Sequence, residues 1–150
     1  MSRKSILLIS LLIISPVIAY LLWPSDESRI KKLFRDGSRA VEEEKIEDVM
    51  AKVSFSYADE HGMSYMLIKN GMERVFRQMS GLRVEYEMGE IEVRDRNATV
   101  DLDIRVIATS GTDTGYFMGD AARPARVRFF LEKEGTRWFV SRTGGLPVGF

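Results

Sequence analysis

The chain opens with an apolar block and then settles into two successive periodicities. Residues 6–23 read ILLISLLIISPVIAYLLW, eighteen positions without a charge. As a helix rising about 1.5 Å per residue, this block spans about 27 Å, close to a bilayer's hydrocarbon core of about 30 Å. After Pro24, Ser25 and Asp26 read as a helix cap with acids in the first turn. Ile30, Leu33, Phe34, Gly37 and Val41 then recur at helical spacing and predict one apolar stripe. A second, shorter stripe, Ile46, Val49, Met50 and Val53, follows the polar Glu42-Glu43-Glu44-Lys45, which predicts a break between two helices. Phe55 to Tyr57 reads as a short edge strand closed by Asp59-Glu60-His61-Gly62. Ser64 is placed to cap a third helix whose Ile68, Met72, Val75, Phe76 and Met79 share a face. Asn70-Gly71 weakens the middle of that helix, and Gly81 suits its C-terminal end.

Beyond Gly81 the period falls from 3.6 to 2. Leu82, Val84, Tyr86 and Met88 alternate with polar residues, and Ile91 and Val93 continue after a phase slip at Gly89, the sequence signature of a β-bulge. Asp95-Arg96-Asn97 turns the chain, and Val100, Leu102, Ile104 and Val106 run back. Ser110 to Gly115 reads as a polar loop, and Gly115-Tyr116-Phe117-Met118-Gly119 as the start of a strand or a packed loop, with a pocket lid or a docking patch as the alternatives. Ala125, Val127, Phe129 and Leu131 predict a third long strand, Glu134-Gly135 a hairpin, and Trp138 with Val140 a fourth strand. Helices followed by an antiparallel meander make an α+β arrangement. A long bulged sheet curls, and three helices packed in its concavity would bury its apolar face.

Charge places the anchor. Arg3 and Lys4 precede the apolar block while Asp26 and Glu27 follow it, so the positive-inside rule puts the N-terminus in the cytoplasm and the domain outside, on a single-pass inner-membrane protein. Tyr20 and Trp23 fit the aromatic belt where the chain leaves the lipid. Pro16 is tolerable within a span. A cleaved signal peptide is the competing reading, but Ile18-Ala19-Tyr20-Leu21 sets bulky residues where a peptidase wants small ones. The expected division is an anchor over 1–24 (helix 6–23), a domain over 25–143 and an apolar tail over 144–150 that packs back on the domain.

Composition narrows the function classes. Without Arg3 and Lys4 the domain holds 20 basic and 22 acidic residues, which is no electrostatic footprint for nucleic acid. No Cys is present, so thiol nucleophiles, disulfides and thiolate metal sites are excluded. His61 is the only His, and a lone imidazole with scattered carboxylates is no metal-ligand set; no cofactor is expected. Glu85, Glu87, Asp101, Asp103, Arg105, Arg126 and Arg128 fall on one sheet face and predict cross-strand ion pairs, with a homodimer or envelope-protein interface as the alternative.

Glu47-Asp48-Val49-Met50-Ala51-Lys52-Val53-Ser54, entering Tyr57-Ala58-Asp59-Glu60-His61-Gly62, and then Phe76 to Val84, carry a resemblance. From about Glu27 to Arg142 the chain resembles the nuclear transport factor 2-like (cystatin-like) α+β rolls, most closely bacterial relatives of ketosteroid isomerase and of polyketide cyclases. The resemblance implies a pocket between the concave sheet and the helices. Its candidates for proton transfer are Asp59 and His61 with Tyr57 as donor, if strand geometry points all three the same way; the alternative is a solvated turn with Asp59 bonding backbone amides. Tyr86, Trp138, Tyr116 and Phe117 are the candidates for ligand contact. Ketosteroid isomerase-like chemistry would need an inward acid on the sheet, and Asp101 and Asp103 alternate outward. The first expectation is a membrane-tethered binding or assembly module for an envelope protein or a small apolar ligand. An exported isomerase or dehydratase acting in the pocket is the second.

Overall fold

The computed structural model describes residues 3–145, with side chains from residue 8. Helix α1 (Arg3–Leu22) runs without a break through Pro16. Helix α2 (Asp26–Glu42) begins where Ser25 accepts a bond from the Ser28 amide at 3.1 Å. It ends where Glu44 takes a positive φ of 55°, inside the predicted polar break. The short α3 (Ile46–Met50) follows, and α4 (Tyr65–Gln78) starts on a Ser64 cap to the Leu67 amide. The strands are β1 (Ser80–Arg94), β2 (Asn97–Ser110), β3 (Asp113–Met118), β4 (Ala125–Glu134) and β5 (Arg137–Gly144). They form one curved antiparallel sheet in the order β1-β2-β4-β5, with β3 also paired to β2.

The core lies on the concave face. Ile30, Leu33 and Phe34 of α2 pack with Val100, Leu102, Val127, Leu131, Trp138 and Val140 of the sheet. Phe34 meets Phe129 edge to face, with ring centroids 5.0 Å apart. Alternation of buried and open positions along β2 is unbroken from Ala98 to Ala108, as a sheet wet on one side requires. Each fully buried aliphatic side chain of this set stabilises the fold by roughly 1.5–3 kcal/mol.

Three expectations need correction. The predicted polar loop after Ser110 is a two-residue turn, and β3 returns along β2 with Asp113 opposite Ser110, so the sheet has five strands rather than four. Phe55 to Tyr57 forms no strand: residues 53 and 58 make only isolated bridges, Val53 to Val140 and Ala58 to Ser64. Gly81 does not terminate α4; it lies in β1, where the register with β2 shifts. The phase slip at Gly89 does coincide with a register shift between Met88 and Ile91.

From Leu8 onward the apolar side chains of α1 are exposed, among them Leu11, Leu12, Leu21 and Leu22. Among the described residues no single helix is long and apolar enough to cross a membrane, and α1 passes only jointly with α2 across a 45° bend. Helix α2 buries Ile30, Leu33 and Phe34 in the domain core, so it is no second half of a span. Tyr20 and Trp23 are exposed at the end of α1, with the Arg29 guanidinium 5.9 Å from the Trp23 ring centroid. The Arg3 and Lys4 side chains and residues 146–150 of the expected tail lie outside the described residues.

Candidate functional site: a cone cavity with one polar corner

A cavity of about 400 Å³ opens between the three helices and the concave sheet. Its walls are Leu33, Gly37 and Val41 of α2, Ile68, Gly71, Met72 and Val75 of α4, and Tyr86, Leu102, Ile104, Phe117 and Phe129 of the sheet. The packing of α4 explains the space. The principal neighbour of α4 is the short α3, not the sheet. No side chain of α4 is fully buried, although its apolar stripe faces inward. Ile68, Gly71, Met72 and Val75 are spaced i, i+3, i+4 and i+7, so they form one face and leave a void where a packed helix would leave none. Met63, Met72, Met118, Phe117 and Phe129 line the cone without filling it.

Polar groups gather at one corner. Tyr57 is 4% exposed, and its hydroxyl lies 2.6 Å from Thr143 Oγ1 and 3.1 Å from Asp59 Oδ2. A phenol has one proton, and the carboxylate can only accept, so Tyr57 donates to Asp59 and Thr143 donates to Tyr57. The other carboxylate oxygen, Oδ1, accepts the His61 and Met63 amides at 2.9 and 3.0 Å. Burial, the largest effect, raises the Tyr57 phenol above its ordinary 10.0; the negative charge of Asp59 adds to this and the Thr143 bond opposes it. Tyr57 is therefore a neutral donor at physiological pH.

The candidates from sequence fall into two groups. Tyr57, Asp59, Tyr86 and Phe117 all line the cavity. His61 does not: it is exposed, and its Nε2 is 3.8 Å from the Glu60 carboxylate. The shared direction expected for Tyr57, Asp59 and His61 required a strand, and the segment turns instead, with the Gly62 amide bonded to the Asp59 carbonyl at 3.2 Å. Asp59 thus bonds backbone amides, as the turn alternative expected, and also reaches the cavity. Tyr116 is 47% exposed and outside the lining. Trp138 is buried elsewhere, donating from Nε1 to Asp26 Oδ1 at 3.1 Å, where Lys133 Nζ also lies 2.7 Å away. It ties the β4–β5 hairpin to the start of α2.

Sequence reasoning missed Thr143 and Lys52. Strict alternation from Trp138 and Val140 would turn Arg142 inward. An irregularity sets Leu131 opposite Val140 but Phe130 opposite Arg142, so Thr143 faces the cone, and no glycine advertises this slip. Arg142 instead stacks on the outer face, 3.9 Å from the Phe130 ring centroid. Lys52 enters the lining, and its positive charge helps to hold the Asp36 carboxyl below the usual range, after the larger contribution of the Lys32 bond. On the outer face Arg128 grips Asp101 at 2.6 and 2.8 Å, and Arg126 grips Asp103 at 2.9 and 3.1 Å, each across paired strands. Among the described residues no group of three or more acids and imidazoles could hold a metal ion.

No protein-family model and no curated protein matches the chain. Solved structures do. A scytalone dehydratase-like protein of Novosphingobium aromaticivorans superposes with a TM-score of 0.65 at 15% identity, over 83% of this chain and 89% of that one. A ketosteroid isomerase-like protein of Erwinia carotovora atroseptica gives 0.59 at 16%, over 77% and 91%. Bd1075 of Bdellovibrio bacteriovorus gives 0.61 at 12%, over 80% of this chain but only 40% of that one. Likeness at such identities shows the fold, and the fold is a nuclear transport factor 2-like, cystatin-like α+β roll.

Proposed function

We propose that this chain, a nuclear transport factor 2-like roll, binds a small apolar molecule in its cone cavity while α1 tethers it to the cytoplasmic membrane with the domain outside. The observation that carries the binding reading is the cavity itself: about 400 Å³ of space walled by aliphatic and aromatic side chains, with polar groups at one corner. Pockets that take small ligands run from about 300 to 1,000 Å³ and share that make-up. The outer sheet face supports a protein partner less well, because Asp101, Asp103, Arg126 and Arg128 already satisfy one another there. The tether reading rests on the uncharged block over 6–23 and on the exposure of its apolar side chains from Leu8 onward.

Gly71 offers the direct test. A Cβ built there meets nothing within 4 Å, so a Leu at this position projects into free space. Butylbenzene should bind the full chain reconstituted in lipid nanodiscs, and Gly71→Leu should weaken binding by tenfold or more while leaving the fold intact, about 1.4 kcal/mol or more of lost affinity. Equal binding by both proteins would remove the cavity as the site. Protease protection of the domain in inverted and right-side-out vesicles tests the orientation.

A second reading is favoured by Asp59 alone, a carboxylate that reaches an apolar cavity: an isomerase- or dehydratase-like enzyme using it as the base. It lacks the second catalytic group it was expected to have, since His61 lies outside. Proton exchange at an activated carbon of a bound ketone, abolished by Asp59→Asn, is its test.

A further inference from the structure

The polar corner has a directionality that names a ligand class, and this inference rests on the binding reading above. Every hydroxyl proton there is committed within the protein: that of Thr143 to Tyr57 and that of Tyr57 to Asp59. Two other hydroxyls stand in the lining: Ser38 donates to the Arg35 carbonyl at 2.9 Å, and Tyr86 lies on β1, separated from Thr143 on β5 by β2 and β4. What the corner still offers is lone pairs, on Asp59 Oδ2 and on Thr143 Oγ1. Asp59 is the only acid among the lining residues, and no Lys, Arg or His nitrogen among the described residues lies within ion-pair distance of it. The lining's one cation, Lys52, stands against α2, its Cγ 4.0 Å from where a Cβ on Gly37 would lie, and among the described residues it makes no ion pair with Asp59.

At this corner a ligand ending in a carbonyl, an ether or a carboxylate would set acceptor against acceptor and leave polar atoms unpaired. A ligand ending in a donor completes the arrangement, and a cationic donor also meets the unpaired carboxylate with a charge-assisted bond. We propose that the cavity selects small apolar amines: a hydrocarbon body in the cone, and a protonated amino group on Asp59.

The experiment is equilibrium dialysis of the full chain in zwitterionic nanodiscs, referenced to empty nanodiscs, with five probes sharing one body. These are butylbenzene, 4-phenylbutylamine, 4-phenylbutanol, its methyl ether and 4-phenylbutanoate. The amine should bind at least tenfold tighter than the carboxylate and the ether, with the alcohol between. Asp59→Asn should collapse that ranking, and an Asn oxygen can still accept the His61 and Met63 amides; butylbenzene measured on the same variant reads whether its cone still binds. The ether comparison on the unaltered chain tests the point even if the variant folds poorly. Butylbenzene binding without preference for the amine, or a preference that survives in Asp59→Asn, overturns the amine inference and leaves the binding reading standing. Failure of every probe overturns both.

Discussion

Gly71→Ala should stabilise the protein and weaken ligand binding at once. Gly71 sits in the interior of α4 with a helical backbone, since its φ is not among the positive ones. Glycine at such a site costs about 0.8–1.0 kcal/mol relative to Ala, through the backbone freedom it loses on folding. A methyl group there meets no atom within 4 Å, so no strain offsets the gain. The expected change is about 1 kcal/mol in favour of the folded state, or about 3–5 °C in midpoint. Urea unfolding followed by far-ultraviolet circular dichroism reads it as a higher midpoint at unchanged slope. The methyl also enters the cavity wall, so the affinity for butylbenzene should fall in the same protein. A lower midpoint would refute the reasoning, because it would mean that α4 is not helical at this position or that the space beside it is filled. An unchanged affinity would separate Gly71 from the ligand's path.

Gly119→Ala should do the opposite, costing about 2 kcal/mol or more: φ is +70°, and a Cβ would lie 2.9 Å from the Ile104 carbonyl oxygen and 3.0 Å from the Ala125 nitrogen, neither able to yield; the same urea assay reads it. Acid should destabilise the domain below about pH 3.8. The carboxyls of Asp26, Asp101 and Asp103 are held below that ordinary value by their bonds to Lys133, Arg128 and Arg126, so the unfolded chain takes up protons first. Their contribution is fully present above pH 3.8 and is lost as pH falls through the folded values; a midpoint unchanged between pH 5 and pH 2.5 would contradict this. A double-mutant cycle on Asp101 and Arg128 should return a small coupling that shrinks with added salt, since both side chains are partly solvated. Trp138→Phe should cost about 1 kcal/mol by removing the bond to Asp26, with no change in butylbenzene affinity because Trp138 lies outside the cavity lining.

Much of the architecture was legible because it depends on local chemistry. Ser25 and Ser64 cap their helices because a hydroxyl satisfies an amide three residues on, which needs no distant partner. The stripe Ile30, Leu33, Phe34, Gly37 and Val41, and the alternation along β1 and β2, state which side of each element turns inward. Where the reading failed, the deciding interaction came from far along the chain. Asp113 and Thr114, read as polar loop, joined a strand because β2 extends past the point where β4 leaves it and offers a free edge there. Phe55 to Tyr57 did not, because the chain turns there, the Tyr57 amide bonding the Ser54 carbonyl, between the bonds that Ser54 and Ala58 donate to β5.

The sequence by itself determined the uncharged block over 6–23, the α+β order, the caps, the bulge at Gly89 and the inward faces, since periodicity and caps are properties of neighbours. Only the tertiary structure decided that the cone is open, that Tyr57, Asp59 and Thr143 meet in it, and that His61 does not. Periodicity says which side chains face inward, but not whether those side chains reach one another. That depends on how closely α4 approaches the sheet, and α4 rests on α3. Thr143 joins Tyr57 across 86 residues because an irregularity between β4 and β5 turns it inward. Such a juxtaposition is set by register between strands, and no single stretch of sequence carries it.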